Sequence, residues 1–326
     1  MKPFTRIQTS LPKPVKQSLA LLVLLSISFS NVAEQVKYQR KSSEENTHFS
    51  YQWHDEKIGM QTLTFALKNP TLFNHFRHFK NFQPETVQRE TLTAIRKKLS
   101  TFDSRELSWQ IKNRPQDFEV FFEAKSDAVL QQAQQAIREV QENTLNAFLQ
   151  ENYYIKYKTP AGIEAIKPDH LRIVKDSYSD VADIASAIIQ KYPNIRGQKH
   201  IEFLLSFIQN IPYSTLESRI ESNGAGFSPP LRLLYNNQGD CDSKVALMAA
   251  ISKKMYPELR VVMIYLPDHA LIGFQLPHLK TDDWVEIDGL DYLLAEPTGP
   301  AQLPLAKISN RSRQLIDSHQ FTYEIL

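Results

Sequence analysis

One cysteine, Cys241, is present among the 326 residues of the chain. Because a single cysteine cannot form an internal disulfide, the fold has to rely on a hydrophobic core for its stability. The composition allows such a core, since 42% of the residues are hydrophobic and 23% are charged, and a chain of this length favours about two domains. The formal net charge is only +2 and no basic stripe is visible, so we predict no nucleic-acid partner.

The first 33 residues are typical of an export signal. Four basic residues precede the uncharged, mostly apolar segment 18–29, and Ala33 then provides a small residue at a cleavage point. We therefore predict a cleaved signal peptide over residues 1–33 and an exported, periplasmic protein. The alternative is an uncleaved N-terminal membrane anchor. No later segment approaches the roughly 20 apolar residues that a spanning helix needs, so we predict no other membrane contact.

Residues 34–46 are polar and charged, and we predict a flexible linker there. Beyond them, strand-type and helix-type patterns alternate. The strand patterns cover 49–53, 62–67, 107–111, 118–124 and 153–157, and the helical patterns cover 84–99 and 126–150. From residue 62 onward the order is β-α-β-β-α-β, which is typical of ferredoxin-like folds. We therefore predict an N-terminal α+β domain over residues 47–160 with a ferredoxin-like arrangement, and we assign it no role.

The pattern changes at residues 160–168, a loop that we interpret as the domain boundary. Helical patterns come next, at 180–191, at 198–210 and directly after Cys241, and strand patterns follow them at 260–266, 269–276 and 284–296. The last strand pattern is divided by Asp288-Gly289, a strong signal for a hairpin turn. Helices followed by an antiparallel sheet are typical of α+β folds, and we predict a second domain of this class over residues 168–326.

Cys241 lies in the sequence Gln-Gly-Asp-Cys-Asp, immediately before apolar residues with helical spacing. This pattern predicts that the thiol lies at the N-terminus of a helix, with Gly239 providing a tight entry. Unpaired N–H groups and the positive end of the helix dipole favour a thiolate there, and the same N–H groups can stabilise an oxyanion. Asp240 and Asp242 act against the thiolate. The alternative interpretation of Cys241 is a small buried hydrophobic residue.

A thiol nucleophile needs a base, and the base needs a group that orients it. His269 opens the strand pattern His-Ala-Leu-Ile-Gly-Phe just after a Pro-Asp turn, which favours a position at a sheet end facing a cleft. Glu296 ends the next strand pattern, in Leu-Ala-Glu-Pro-Thr. Asp288 is the competing carboxylate, but it suits a hairpin turn better. We therefore predict that Cys241, His269 and Glu296 form a catalytic site.

The segments Gly-Asp-Cys-Asp, His-Ala and Glu-Pro-Thr-Gly, in this order, resemble the transglutaminase-like superfamily of papain-like fold. The preceding helix, Phe207–Tyr213, is similar to the helix before the catalytic one in that superfamily, and the resemblance covers about residues 180–300. It implies that Cys241 is the nucleophile, His269 the general base and acid, and Glu296 the orienting acid. It also implies helices packed on an antiparallel sheet, and proteins or cell-wall peptides as substrates. Glu296 departs from the commoner aspartate.

We therefore expect a thiol-dependent acyl-transfer enzyme that acts on amide bonds through a thioester, with an alkylator reacting rapidly at Cys241 near neutral pH. Hydrolysis is favoured because water is always present; the alternatives are a cross-linking transglutaminase and a non-catalytic binding or scaffold module. The second oxyanion donor stays open among Gln209, Tyr213 and Asn237. The sequence has no His-Glu-x-x-His, paired cysteine ligands or Gly-x-Ser-x-Gly, so we predict no metal or cofactor. The oligomeric state is left open.

Overall fold

The computed structural model describes residues 5–10, 34–114, 117–158, 162–194, 197–216, 226–299 and 301–326. The apolar segment of the predicted signal and its cleavage point, Ala33, lie outside these ranges. The described residues form two compact units. The first unit takes the described part of Met1–Lys16 together with Lys80–Pro168, and the second takes the described part of Gln17–Phe79 together with Asp169–Leu326.

Both units combine strands and helices, which confirms the α+β prediction at that level. The strands are β1 (Thr5–Ser10), β2 (Glu34–Ser42), β3 (Asn46–Asp55), β4 (Gly59–Lys68), β5 (Leu107–Asn113), β6 (Asp117–Ala124), β7 (Tyr154–Lys158), β8 (Glu164–Pro168), β9 (Val261–Tyr265), β10 (Ala270–Phe274), β11 (Trp284–Ile287), β12 (Leu290–Ala295) and β13 (Thr322–Ile325). The helices are α1 (Asn69–Asn74), α2 (Pro84–Leu99), α3 (Asp127–Glu151), α4 (His170–Asp176), α5 (Ala182–Lys191), α6 (Gln198–Gln209), α7 (Pro230–Asn236), α8 (Cys241–Met255) and α9 (Asn310–Asp317). Within the described ranges, every helix is too short or too polar to cross a bilayer.

The first unit combines two helices with a three-stranded antiparallel sheet of order β1-β6-β5 and a separate hairpin of β7 and β8. α2 packs against α3. Both helices bury apolar side chains against the sheet. The cluster includes Ile95 from α2, Ile137 from α3 and Val120 from β6. This apolar cluster is the core of the unit.

The ferredoxin-like arrangement predicted from the sequence is wrong, although each of its segments exists. That fold needs its four strands in one sheet. In the structure β4 pairs with β3, β5 pairs with β6, and β7 pairs with β8. Periodicity along the chain identifies a strand, but it does not say which other strand completes its hydrogen bonds, and the order of elements alone misled the prediction.

The predicted linker is also wrong, because most of residues 34–46 form the strand β2. β2 pairs antiparallel with β3, with Tyr38 opposite Tyr51 and their ring centroids 5.1 Å apart. The Tyr38 hydroxyl donates hydrogen bonds to the carbonyl groups of Leu234 (3.1 Å) and Tyr235 (2.9 Å). β2 is an edge strand of its sheet, and its charged, mostly exposed side chains make its composition resemble that of a linker.

Residues 47–79 belong to the second unit and not to the predicted N-terminal domain. The Trp53 side chain on β3 is fully buried, with its ring 5.4 Å from that of Phe203 and 5.5 Å from that of Phe207, both on α6. The indole N–H of Trp53 donates to Ser206 Oγ (3.0 Å). The sheet of β2, β3 and β4 therefore shares a core with α6, a contact between distant parts of the sequence that local patterns do not contain.

The second unit is organised around α8 and an antiparallel sheet of order β11-β12-β10-β9-β13. α8 packs against β9 and β10 and also against α4, α5, α6 and α7, and its residues 243–252 are all buried. The predicted hairpin is confirmed: Asp288 (φ 52°) and Gly289 (φ 75°) form the turn between β11 and β12, with the positive φ values that such turns require. The helices and strands predicted between residues 180 and 296 are thus present in order.

Candidate functional site

Cys241 is the first residue of α8, as predicted. Asp240 is the N-cap, and its carboxylate accepts a hydrogen bond from the Ser243 N–H (3.0 Å). Just before the helix, Gly239 forms an isolated parallel β-bridge with Tyr213. The nucleophile predicted from the sequence is therefore held between a capped helix and a short backbone pairing, and its own amide is among the helix N-terminal N–H groups that lack an intrahelical acceptor.

Gly239 is required by a close approach rather than by an unusual backbone angle. A Cβ atom at this position would lie 2.5 Å from Leu233 Cδ1, and Leu233 is itself fully buried. Since the Leu233 side chain is buried among other atoms, any larger residue at position 239 would force that side chain or the backbone next to it to shift. The tight entry expected from the sequence is present, with this steric origin.

The thiol of Cys241 does not have the depressed pKa that its helical position predicts. Burial, then the charge of Asp242 and then that of Asp240, raise the pKa of Cys241 well above its usual range. Cys241 Sγ donates a hydrogen bond to Asp242 Oδ1 (3.5 Å), which further favours the protonated form. The helix dipole is a partial charge, and two nearby carboxylates together with desolvation outweigh it. The resting thiol is therefore protonated at neutral pH, and the expectation of rapid alkylation near neutral pH is corrected.

His269 and Glu296 are in direct contact, with His269 Nε2 lying 2.8 Å from Glu296 Oε1. His269 immediately precedes β10 and Glu296 immediately follows β12. β10 and β12 are antiparallel neighbours with Ile272 opposite Ala295, so His269 and Glu296 are diagonal neighbours at one edge of the sheet. The sheet register brings the predicted base and the predicted orienting acid together.

The second oxygen of the Glu296 carboxylate lies at the N-terminus of α9. Glu296 Oε2 accepts hydrogen bonds from the Ser309 N–H (2.9 Å) and from Ser312 Oγ (3.4 Å), and Ser309 is the N-cap of α9. Burial raises the pKa of Glu296, but the hydrogen bonds from His269 and Ser309 outweigh it and lower the pKa overall. Glu296 is therefore held as a carboxylate between an imidazole and a helix N-terminus.

Sequence reasoning missed α9 and its two serines. The available signal was a serine that precedes a short helical pattern ending in Leu315 and Ile316, since serine is a preferred N-cap residue.

Asp288, the competing carboxylate, lies in the β11–β12 turn, where Oδ1 accepts a hydrogen bond from the Tyr323 hydroxyl (2.8 Å). Asp288 is therefore a turn residue, and Glu296 is the carboxylate that His269 contacts.

Cys241 is not hydrogen-bonded to the His269–Glu296 pair. α8, which begins at Cys241, packs against β10, which begins directly after His269. Within the described part of the chain, the hydrogen bond of Cys241 Sγ goes to Asp242 and not to His269. Of the three predicted catalytic side chains, the structure thus joins two by a hydrogen bond and puts the third at the start of the helix packed on the histidine strand.

Two of the three candidates for a second oxyanion donor are already engaged. Gln209 Nε2 donates to the carbonyl groups of Glu296 (2.9 Å) and Leu303 (2.8 Å). Asn237 Nδ2 donates to Gln35 Oε1 (2.6 Å). Gln209 therefore holds the backbone of Glu296, a role that the sequence did not reveal. Tyr213 is 45% exposed, and the choice of a second donor stays open.

Comparison of the chain with protein-family models, with curated proteins and with solved structures gave no match. In the described ranges, histidine, cysteine, aspartate and glutamate side chains do not gather in groups of three or more that could hold a metal ion. The chemistry of the site is therefore argued from its own side chains.

Replacing Glu296 with glutamine tests how strongly the carboxylate is held. We expect Glu296→Gln to lower the free energy of unfolding at pH 7 by about 1.5–3 kcal/mol, the range for hydrogen bonds to a charged group. The folded pKa of Glu296 is lowered, so this stabilisation is complete above the ordinary glutamate pKa of about 4.3 and is lost as the pH falls through the folded value. Urea unfolding at about pH 7 and about pH 3 should therefore show a difference that shrinks in acid. The exposed Glu286 on β11 provides the control, and an equal loss for Glu286→Gln would contradict the interpretation.

Proposed function

We propose that the chain is a thiol-dependent acyl-transfer enzyme that acts on amide bonds of proteins or cell-wall peptides, with hydrolysis as the main reaction. The observation that carries this proposal is the 2.8 Å contact between His269 Nε2 and Glu296 Oε1. It lies at the edge of the sheet against which α8, the helix that begins at Cys241, packs. A nucleophile, a base and an orienting acid are the groups that amide cleavage through a thioester requires.

The contact with Glu296 leaves the other ring nitrogen of His269 for the reaction. If Nε2 donates to the carboxylate, Nδ1 has a lone pair and can accept the thiol proton. The sulfur then attacks the amide carbonyl, and collapse of the tetrahedral intermediate breaks the C–N bond while His269 returns the proton to the leaving amine. Water, deprotonated by His269, hydrolyses the thioester, releases the acid and restores the thiol of Cys241.

The raised pKa of Cys241 favours proton transfer in the substrate complex over a preformed thiolate–imidazolium pair. The Cys241 thiol has to leave Asp242 Oδ1 (3.5 Å) and turn toward His269. Apo sites often have long or misaligned catalytic hydrogen bonds that tighten when substrate binds. The N–H of Cys241, at the first position of α8, would then face the oxyanion.

The helices packed on an antiparallel sheet in residues 168–326 are compatible with a papain-like, transglutaminase-like fold, which we propose for this unit. The basic and apolar pattern of residues 1–33 supports export, and we propose a periplasmic location. These proposals together suggest exported proteins or peptides of the cell wall as the substrate class.

The function is tested by incubating the full-length protein with a protein substrate, with cell-wall peptides, and with a peptide plus a primary amine. We expect new termini from at least one substrate, no products with Cys241→Ala, and a thioester on the intact protein detectable by mass spectrometry. Incorporation of the amine without cleavage would assign cross-linking in place of hydrolysis. Equal product from the wild type and Cys241→Ala would overturn a thiol mechanism.

A specific observation favours a second candidate, a binding module that keeps the site without using it. The thiol is hydrogen-bonded to Asp242 rather than to His269, and its pKa is raised. A binding module would retain peptide affinity with no turnover, and Cys241→Ala would leave that affinity unchanged.

A further inference from the structure

Lys244 is a charged residue in the interior of the second unit. It lies one helical turn after Cys241 on α8, and its side chain is fully buried. Lys244 Nζ donates a hydrogen bond to the carbonyl oxygen of Ile211 (2.5 Å). Lysine is among the residues least often buried completely, so its presence here calls for a physical reason.

A buried ammonium group is expensive, and the surrounding groups show what compensates for it. Burial lowers the pKa of Lys244, while the charges of Asp240 and Cys241 act in the opposite direction. An apolar residue of similar volume would avoid the desolvation cost. Burial and then the charge of Asp242 raise the pKa of Asp240 to about 8, and burial lowers the pKa of Lys244 to about 7. Near neutral pH both groups are therefore partly uncharged, which reduces the cost of burying them at the start of the same helix.

The carbonyl group that Lys244 binds begins the segment beside the nucleophile. After Ile211, the Pro212 carbonyl accepts a hydrogen bond from the Gly239 N–H (3.2 Å), and the Ser214 N–H donates to the Gly239 carbonyl (3.1 Å). Residues 211–214 are thus joined to the start of α8 from two sides, by backbone pairing at Gly239 and by the Lys244 side chain. Movement of this segment would move the wall of the site next to Cys241.

We propose that Lys244 is a positioning residue of the candidate site, which holds the segment 211–214 against the start of α8 and, in its protonated form, places a buried positive charge one helical turn after Cys241. The inference rests on the proposed function for its catalytic meaning. Residues three apart on a helix face the same side, so the ammonium group and the thiol share one environment.

The charge balance around Cys241 gives Lys244 its role. When the thiol loses its proton, the start of α8 holds the sulfur anion together with Asp240 and Asp242. Because the interaction between two titrating groups is reciprocal, the thiolate favours protonated Lys244 and protonated Lys244 favours the thiolate. In its protonated form, Lys244 thereby offsets part of the electrostatic effect of the two aspartates.

The test measures alkylation of Cys241 by iodoacetamide as a function of pH in the full-length protein. Since Cys241 is the only cysteine, every label reports on this thiol. Burial lowers the pKa of Lys244 to about 7, so Lys244 acts on the thiol as a cation only near and below that pH. We expect Lys244→Met to be alkylated about tenfold more slowly than the wild type below about pH 7, and the two rates to converge above about pH 8. Hydrogen exchange at Ser214 and Gly239 should become faster, and kcat should fall more than KM rises.

The matched control is Lys254→Met, which removes a lysine from an exposed position near the other end of α8 and should leave the alkylation rate below about pH 7 unchanged. If Lys244→Met does not fold, Lys244→Gln is expected to give the same slower alkylation. A folded neutral variant that is alkylated at the wild-type rate below about pH 7 would overturn the inference, even where Cys241→Ala abolishes turnover. Slower alkylation of the variant together with turnover that does not depend on Cys241 would sustain the electrostatic role of Lys244 and refute the proposed function.

Discussion

A His269→Ala variant should cleave the substrate of the wild-type protein about 10²–10⁴ times more slowly, the usual contribution of a general acid and base. His269 has two tasks in the proposed reaction, since it removes the thiol proton and later protonates the leaving amine. The first task is more demanding because the resting thiol of Cys241 is protonated and has to lose its proton before the sulfur can attack. The loss should therefore appear in kcat as well as in kcat/KM.

The measurement is steady-state hydrolysis together with single-turnover acylation of Cys241. His48, which is exposed on β3, provides the control, and His48→Ala should retain wild-type rates. Unfolding midpoints should show that His269→Ala remains folded. An acylation rate within about threefold of the wild type would remove His269 from the mechanism.

The second large effect is expected at Trp53, where replacement by alanine should lower the free energy of unfolding by about 3–5 kcal/mol. Trp53 is fully buried against Phe203 and Phe207. Its N–H group donates to Ser206 Oγ (3.0 Å), so alanine leaves a cavity and also removes a buried hydrogen bond. Because α6 carries Gln209, which binds the Glu296 carbonyl (2.9 Å), the loss should reach the site.

Denaturant unfolding followed by far-UV circular dichroism tests this expectation, because that signal comes mainly from the backbone and not from the tryptophan that is removed. The control is Met60→Ala on the neighbouring strand β4, where the side chain is 51% exposed and the change should stay within about 0.5 kcal/mol. A Trp53→Ala variant that unfolds like the wild type would mean that residues 47–79 are not part of the core of the second unit.

Local signals predicted the parts of the site that depend on neighbours in sequence. Helical spacing after Cys241 predicted α8, and Asp288-Gly289 predicted the turn that positions β12. With β10 and β12 adjacent, a histidine before one strand and a glutamate after the other had to lie at the same edge. These elements are specified by periodicity and turn chemistry, which are properties of short segments.

The errors concern contacts and energies that no short segment contains. β2 looked like a linker because its partners, β3 and the carbonyl groups of α7, are far away along the chain. The thiol pKa depends on how deeply the sulfur is buried and where two carboxylates lie, and the sequence shows only that Asp240 and Asp242 are adjacent. Likewise, the sequence shows Lys244 only as a lysine in a mostly apolar helical segment, and only the packing shows that its side chain is buried.

Because the Glu296 carboxylate is shared between His269 and the N-terminus of α9, the geometry of the His269–Glu296 pair depends on α9. α9 leads directly to β13, which pairs with β9 at the sheet edge. Detaching this terminal segment would withdraw the Ser309 N–H from Glu296, leaving the acid freer to take up a proton and the imidazole less firmly aimed. In the proposed mechanism, detachment of α9 and β13 would therefore weaken catalysis even where the core of the second unit stays folded.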